Sequence, residues 1–157
     1  LAPFRGELHR LVARDKGRSV RLAADLETPE IRVPGAPETF AKKTAAFFKA
    51  AARTDLSDRV AVHAQTLGVE PTSIAIKDTR SRWGSCSAEG RLNFSWRLVC
   101  APPFVLDYVA AHEVAHLVEM NHSDRFWTQV AHCIPDVKPA RVWLRENGAA
   151  LHTVGAG

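Results

Sequence analysis

His112-Glu113-Val114-Ala115-His116 is the segment of this sequence whose residue types and spacing can do chemistry. On a helix, residues four apart differ by about 40° in direction and lie one turn apart, so two imidazoles can share one ion at about 2.0–2.1 Å each. Glu113, beside the first imidazole, is badly placed to coordinate that ion and well placed to reach a water held by it. His122 follows His116 by six residues, about 600° of rotation on a continued helix, which would turn it off the metal-facing stripe. It reaches the ion only where the helix ends in between. Asn121 tolerates the left-handed conformation of a helix stop, and Ser123 can cap the next helix, so the bend is expected at His122.

An H-E-x-x-H pattern alone arises by chance. Here its flanks, V-L-D-Y-V-A-A before and L-V after, are strongly apolar and read as a buried helix, where two histidines and a glutamate are costly without a metal or a full set of hydrogen bonds. Three neutral imidazoles, His112, His116 and His122, leave the fourth position of one tetrahedral Zn2+ ion open to water, the mark of a catalytic site. Zinc lowers the pKa of its water towards about 7 and polarises a carbonyl. Glu113 then accepts the water's proton and delivers it to a leaving amine, which is amide hydrolysis in outline. The histidine spacing equals that of the metzincin pattern H-E-x-x-H-x-x-G-x-x-H, but Glu119 stands in the place of the glycine, so the chain must turn differently.

Positioning these residues falls to the flanking elements. Pro103 suits the first turn of a helix running to about Met120, and a further helix is expected over Ser123–Cys133. A last helix is expected over Pro139–Asn147, stopped by Gly148. Upstream, Ser73–Thr79 and Arg91–Val99 read as strands joined by the turn-rich Ser81–Gly90, the pattern of a hairpin with a long connection. Phe40, Ala41, Thr44, Phe47, Phe48 and Ala51 place a helix over Pro37–Arg53, and Asp55–Leu67 reads as a second, stopped by Gly68. Three short segments, Glu7–Arg14, Ser19–Ala23 and Glu30–Val33, read as a small antiparallel sheet. The change of period divides the chain into 1–36 and 37–157, or leaves it one continuous domain.

Composition is that of a globular protein, 46% apolar and 24% charged, which excludes disorder and fibrous repeats. The most apolar run, Leu98–Leu106, is broken by Pro102 and Pro103, so no membrane helix is expected. Cys86, Cys100 and Cys133 form no CxxC pair, and with no signal-peptide pattern the expectation is reduced thiols in a cytoplasmic protein. A net charge of +4 allows nucleic-acid contact but supports it weakly.

From Arg80 onward the sequence resembles the YgjP-like metallopeptidase family, in the zincin group that also includes SprT-type proteins. The residues that carry the likeness are R-S-R-W-G-S-C-S at 80–87, F-S-W-R-L-V at 94–99, A-P-P at 101–103 and D-Y-V-A-A-H-E-V-A-H-L-V-E-M-N-H-S at 107–123. Further matches are F-W at 126–127, P-D at 135–136 and W-L at 143–144. The resemblance implies an α+β zincin-like metallopeptidase domain: a mixed sheet packed on the H-E-x-x-H helix, with the cleft beside the sheet's edge strand. It also implies three histidine ligands matching His112, His116 and His122, a base matching Glu113, and a polypeptide substrate.

Around that centre the candidates for substrate contact are Trp83, Ser85, Asn93, Ser95 and Tyr108. Trp83-Gly84-Ser85 reads either as a structural turn with Trp83 capping the core, or as a turn at the cleft mouth where Ser85 or Arg82 meets substrate. Asn93–Trp96 is either a core strand or an edge strand that pairs with an extended peptide. Tyr108, one turn before His112, reads as core before catalytic. Glu119 either orients a ligand imidazole or is a solvated helix-end acid. Cys86 reads as a small buried residue, with approach to the metal as the alternative. His9, His63, His132 and His152 have no ligand spacing. Arg80, Arg82, Arg91 and Arg97 keep open a DNA-associated protease of SprT type, or a nucleic-acid module with structural zinc. A non-peptide amide substrate is the remaining alternative. Oligomeric state is not legible.

Overall fold

The computed structural model describes residues 1–155, so the last two positions of the expected second segment lie outside the described residues. The chain starts with β1 (Ala2–Phe4) and β2 (Glu7–Arg14), joined by Arg5 and Gly6, both at positive φ (50° and 83°), the two-residue turn that matches strand twist. Gly6 lies so close to Pro102 that a Cβ would sit 2.9 Å from its Cα. The turn also donates Arg5 N to Val99 O at 2.7 Å, fastening the N-terminal sheet to the segment before the H-E-x-x-H helix.

With β3 (Arg21–Ala23) and β4 (Glu30–Pro34), these strands form a four-stranded sheet of order β1-β2-β4-β3. The expected antiparallel sheet is mixed: β4 lies parallel to β2, pairing Leu11 with Ile31 and Ala13 with Val33, while β3 runs antiparallel on its far side. Alternation of apolar and polar residues specifies which face is buried and says nothing about strand direction. Ile31 and Val33 are fully buried on the inner face.

Residues 40–67 form one helix, α1, where two were expected. Between Arg53 and Asp55 there is neither proline nor glycine, and Phe48, Ala52, Leu56, Val60, His63 and Ala64 continue one buried stripe across the expected break. Gly68 ends the helix in the left-handed conformation (φ 69°), as expected.

A second sheet follows: β5 (Ser73–Lys77), β6 (Gly84–Cys86) and β7 (Arg91–Ser95), in the order β5-β7-β6. The long hairpin between the first and last of these does not exist. Strands β5 and β7 are parallel, and it is the connection that contributes β6, antiparallel to β7 with Ser85 opposite Asn93. Strand β6 is three residues long and begins with a glycine, too weak a pattern to stand out in sequence. Strand β7 also stops at Ser95, whose Oγ accepts from Arg97 N at 3.2 Å and starts a 3-10 turn over Trp96–Cys100 in place of the expected longer strand.

Helix α2 (Pro103–Ala115) is apolar on nearly every side, because α1, both later helices and β6 pack around it. Asp107 sets its rotation against α1. Its Oδ1 accepts from Arg59 Nε at 2.7 Å and from His63 Nε2 at 2.6 Å, with His63 only 2% exposed. Burial alone would raise the Asp107 pKa, but the His63 and Arg59 bonds outweigh it and hold the carboxyl below its usual range. Helix α3 (Asp124–Cys133) starts where expected, with Ser123 Oγ accepting from Phe126 N. Helix α4 (Lys138–His152) runs through Gly148, which is buried in its interior against the Trp83 indole. Glycine there marks close packing, not a stop. One cluster of buried side chains runs from Phe4, Ile31 and Val33 through Phe48, Leu56 and Phe94 to Val109 and Phe126. Cys86, Cys100 and Cys133 are free thiols, and among the described residues no helix is long and apolar enough to cross a membrane.

Candidate metal centre and active site

His112 and His116 project from the last turn of α2, four residues apart and therefore on one stripe. The helix does not run to Met120. After Ala115 the chain tightens into three-residue turns, with Leu117 N donating to Val114 O at 2.9 Å and Val118 N to Ala115 O at 3.0 Å. Asn121 does not adopt the left-handed conformation expected of it; Arg5 is the one non-glycine residue at positive φ among the described residues. A turn made this way needs no glycine, which is why Glu119 can stand where metzincins carry one. It brings His122 back over the helix end, with its Nε2 3.1 Å from that of His116 and 3.3 Å from that of His112.

Those spacings fit a metal ion. Bonds of about 2.0–2.1 Å at a tetrahedral angle place neighbouring donor atoms about 3.3–3.4 Å apart. Tautomer chemistry points the same way. The Nδ1 of His116 lies 3.0 Å from the Glu119 carbonyl, which can only accept, so Nδ1 carries the proton and Nε2 turns a lone pair to the shared centre. Lone pairs converging at this distance repel one another unless a cation lies between them. Burial, then the neighbouring His116 and His122, push the His112 pKa down to about 4, keeping that imidazole neutral and free to ligate. Phe126 forms the floor, stacked on His116 at 4.4 Å and edge-on to His112 and His122 at 4.9 Å each.

Glu113 turns from the same helix towards β6. Gly84, the first residue of that strand, is the reason it fits: a Cβ there would lie 2.9 Å from Glu113 Cγ and 3.0 Å from its Oε2. Burial lifts the Glu113 pKa to about 7, with Arg82 opposing the rise. The cleft, of about 340 Å³, is lined on one side by Arg82, Gly84, Ser85 and Cys86, on the other by the three histidines, and at its rim by Met120.

The remaining expected residues divide. Ser85 lines the cleft on the edge strand. Asn93 lies behind it on the central strand, its Nδ2 donating to Ser85 Oγ at 3.4 Å. Ser95 is fully buried at the 3-10 turn and does not face the cleft. Trp83 stacks on His152 at 3.8 Å and covers Gly148, anchoring the start of β6 to α4. Tyr108 is buried behind His112, its hydroxyl 3.5 Å from Nδ1. Glu119 meets His116 through its main-chain carbonyl. Burial, reinforced by Glu113, pushes the Cys86 thiol up to about 11, and its Sγ donates to Ser87 O at 3.4 Å. The four arginines do not form a patch, since Arg97 is fully buried, bonded to Asp78 and to Val154 O and stacked on Trp96. The roles of Gly84 beside Glu113, of Phe126 beneath the imidazoles and of Met120 at the rim were not read from the sequence. Only the phenylalanine had a signal, its place one turn into the helix that follows His122.

A mixed sheet whose edge strand borders an H-E-x-x-H helix, with a third histidine returning from the following turn, defines a zincin-like metallopeptidase fold. The chain belongs to the YgjP-like metallopeptidase family, whose metallopeptidase-domain profile matches residues 1–147. Its fold is similar to that of abylysin from Pyrococcus abyssi, solved as a metallopeptidase zymogen. That likeness has a TM-score of 0.51 and 20% identity, over 59% of this chain and 92% of the other. No curated protein sequence matches the chain.

Proposed function

We propose that this protein is a zinc-dependent peptidase in which His112, His116 and His122 hold the ion and Glu113 is the general base. The observation that carries the reading is the convergence of three imidazoles, with His122 Nε2 3.1 Å from His116 Nε2 and 3.3 Å from His112 Nε2, and no fourth protein donor among the described residues. A donor set of three imidazoles suits zinc, and three protein ligands characterise catalytic rather than structural sites. When bound, such an ion acidifies a water and polarises the scissile carbonyl as a Lewis acid.

The chain's own groups supply the rest. Glu113 takes one proton from the attacking water and returns it to the amide nitrogen as the C–N bond breaks, so a carboxylic acid and an amine leave and the carboxylate is restored. Strand β6 is the outer strand of its sheet and borders the cleft, so its outward main-chain groups can align an extended peptide by strand addition. Ser85 and Arg82 are the side chains placed to meet that peptide, and Asn93 holds the Ser85 hydroxyl. Tyr108 and the Glu119 carbonyl orient His112 and His116 through their Nδ1 atoms.

Glu113→Gln tests this. It keeps side-chain size and removes basicity, so zinc measured by mass spectrometry should remain at one ion per chain. Turnover of a quenched peptide panel should fall by a factor on the order of 10²–10⁴. Near-normal turnover would refute the base role, and loss of zinc with activity would make Glu113 a ligand.

A further inference from the structure

The outer face of the N-terminal sheet carries a cluster of cationic side chains around a second cavity. In the β3–β4 pair Arg21 stands directly opposite Arg32, so both guanidinium stems leave the sheet on the same face. On the other side of β4, Val12 is opposite Arg32, which puts Arg14, two residues along, on that face as well. The inner face, with Ile31 and Val33, is buried in the core, so these side chains cannot escape inward. Lys16 and Ser19, from the loop between β2 and β3, close the end. Together with Leu22 and Pro34, the side chains of Arg14, Lys16, Ser19, Arg21 and Arg32 line a pocket of about 290 Å³ that shares no residue with the histidine cleft.

The charges of this pocket are not balanced. Glu30 is the one carboxylate within 4.0 Å of these cations among the described residues. It serves two of them, Arg32 Nε at 3.0 Å and an Arg14 Nη at 3.7 Å. Among the described residues Arg21 and Lys16 have no acidic partner. Four cations and one carboxylate leave a formal excess of three positive charges around one small volume. Like charges directly opposite on adjacent strands destabilise a sheet, and a tetrahedral oxyanion relieves that repulsion through charge-assisted, bidentate guanidinium bonds. A lone hydroxyl donor, Ser19, suits the same ligand.

We propose that this pocket is a phosphate-binding site, which takes phosphoryl groups through Arg21, Arg32, Arg14 and Lys16. Free phosphate and the phosphodiester backbone of a nucleic acid present the same group, and the volume admits either. The site is independent of the zinc reading, because it rests on none of the same side chains.

The test is a titration of the intact protein with inorganic phosphate and, separately, with oligothymidylates of four and twelve nucleotides, following arginine Nε–Hε resonances by NMR. Saturable shifts of Arg14, Arg21 and Arg32 with either probe are expected. The double variant Arg21→Ala with Arg32→Ala should weaken binding by about tenfold or more. Glu30→Gln, which frees Arg14 and Arg32 from their carboxylate, should tighten it. Affinity that rises with oligonucleotide length and falls steeply with salt assigns the site to a nucleic-acid backbone; affinity independent of length assigns it to free phosphate. Thermal unfolding of both variants checks that the sheet is intact, and the Glu30 variant keeps all four cations if the arginine pair proves necessary for folding. No saturable shift with either probe, or binding that both variants leave unchanged, would overturn the proposal.

Discussion

Gly84→Ala is the substitution that isolates the placement of Glu113, the proposed general base. The backbone at Gly84 is not at positive φ, so alanine meets no conformational strain there and the effect is purely one of space. The new Cβ would lie 2.9 Å from Glu113 Cγ, 3.0 Å from Oε2 and 3.2 Å from Cδ, whereas ordinary contact begins near 3.4 Å. Glu113 must therefore retreat by at least about 0.5 Å, and its neighbours are core residues that yield little. A displacement of about 1 Å in a reacting group is worth roughly 10²-fold, so a fall in kcat of about 10- to 100-fold is expected. Overpacking should also lower stability by about 1–3 kcal/mol. The three atoms nearest the new Cβ all belong to Glu113, so zinc should stay at one ion per chain, and KM should change little while the β6 edge is intact. The assay is steady-state hydrolysis of a peptide on metal-loaded protein, run for the wild type, both single variants and Gly84→Ala with Glu113→Gln. If Gly84 acts through Glu113, the double variant is no slower than Glu113→Gln alone. Turnover within about twofold of wild type in the folded, zinc-loaded Gly84 variant would refute the reasoning, and so would a full additive loss in the double variant.

Replacing His122 by alanine should abolish stoichiometric zinc while leaving far-ultraviolet circular dichroism unchanged, because that residue is exposed on the turn after α2; full metal retention would remove it from the ligand set. Phe126→Ala removes the floor beneath all three imidazoles and a fully buried aromatic, so a loss of about 3–5 kcal/mol in urea unfolding and weaker zinc affinity are expected together. Asp107→Asn should cost about 1–3 kcal/mol at neutral pH. Its folded pKa is depressed, so its stabilisation is fully present above the ordinary carboxylate value of 3.8 and fades as pH falls through the folded pKa. The variant should therefore show a shallower loss of stability than wild type below about pH 4, and parallel acid limbs in the two proteins would contradict the assignment.

Local chemistry is what this sequence determined by itself. The pair His112 and His116 needs only the period of a helix to converge, Ser123 and Gly68 needed only their capping preferences, and the apolar flanks of residues 105–118 were enough to bury the helix that carries the site. Everything that depends on which segments meet was decided by the tertiary structure. Strand direction is invisible in an alternating pattern, so β2 with β4 and β5 with β7 came out parallel where antiparallel neighbours were expected. Asp55–Leu67 read as a second helix, whereas the continuous buried stripe from Phe48 to Ala64 keeps α1 unbroken. Gly148 suggested a stop, yet the Trp83 indole lying on it makes the same residue an interior packing position. The sharpest case is Gly84. In sequence it is one turn residue between a tryptophan and a serine. Only when β6 forms against β7 and α2 packs beneath does its missing side chain become the space that Glu113 occupies, because a steric vacancy is a property of two surfaces in contact and of neither segment alone.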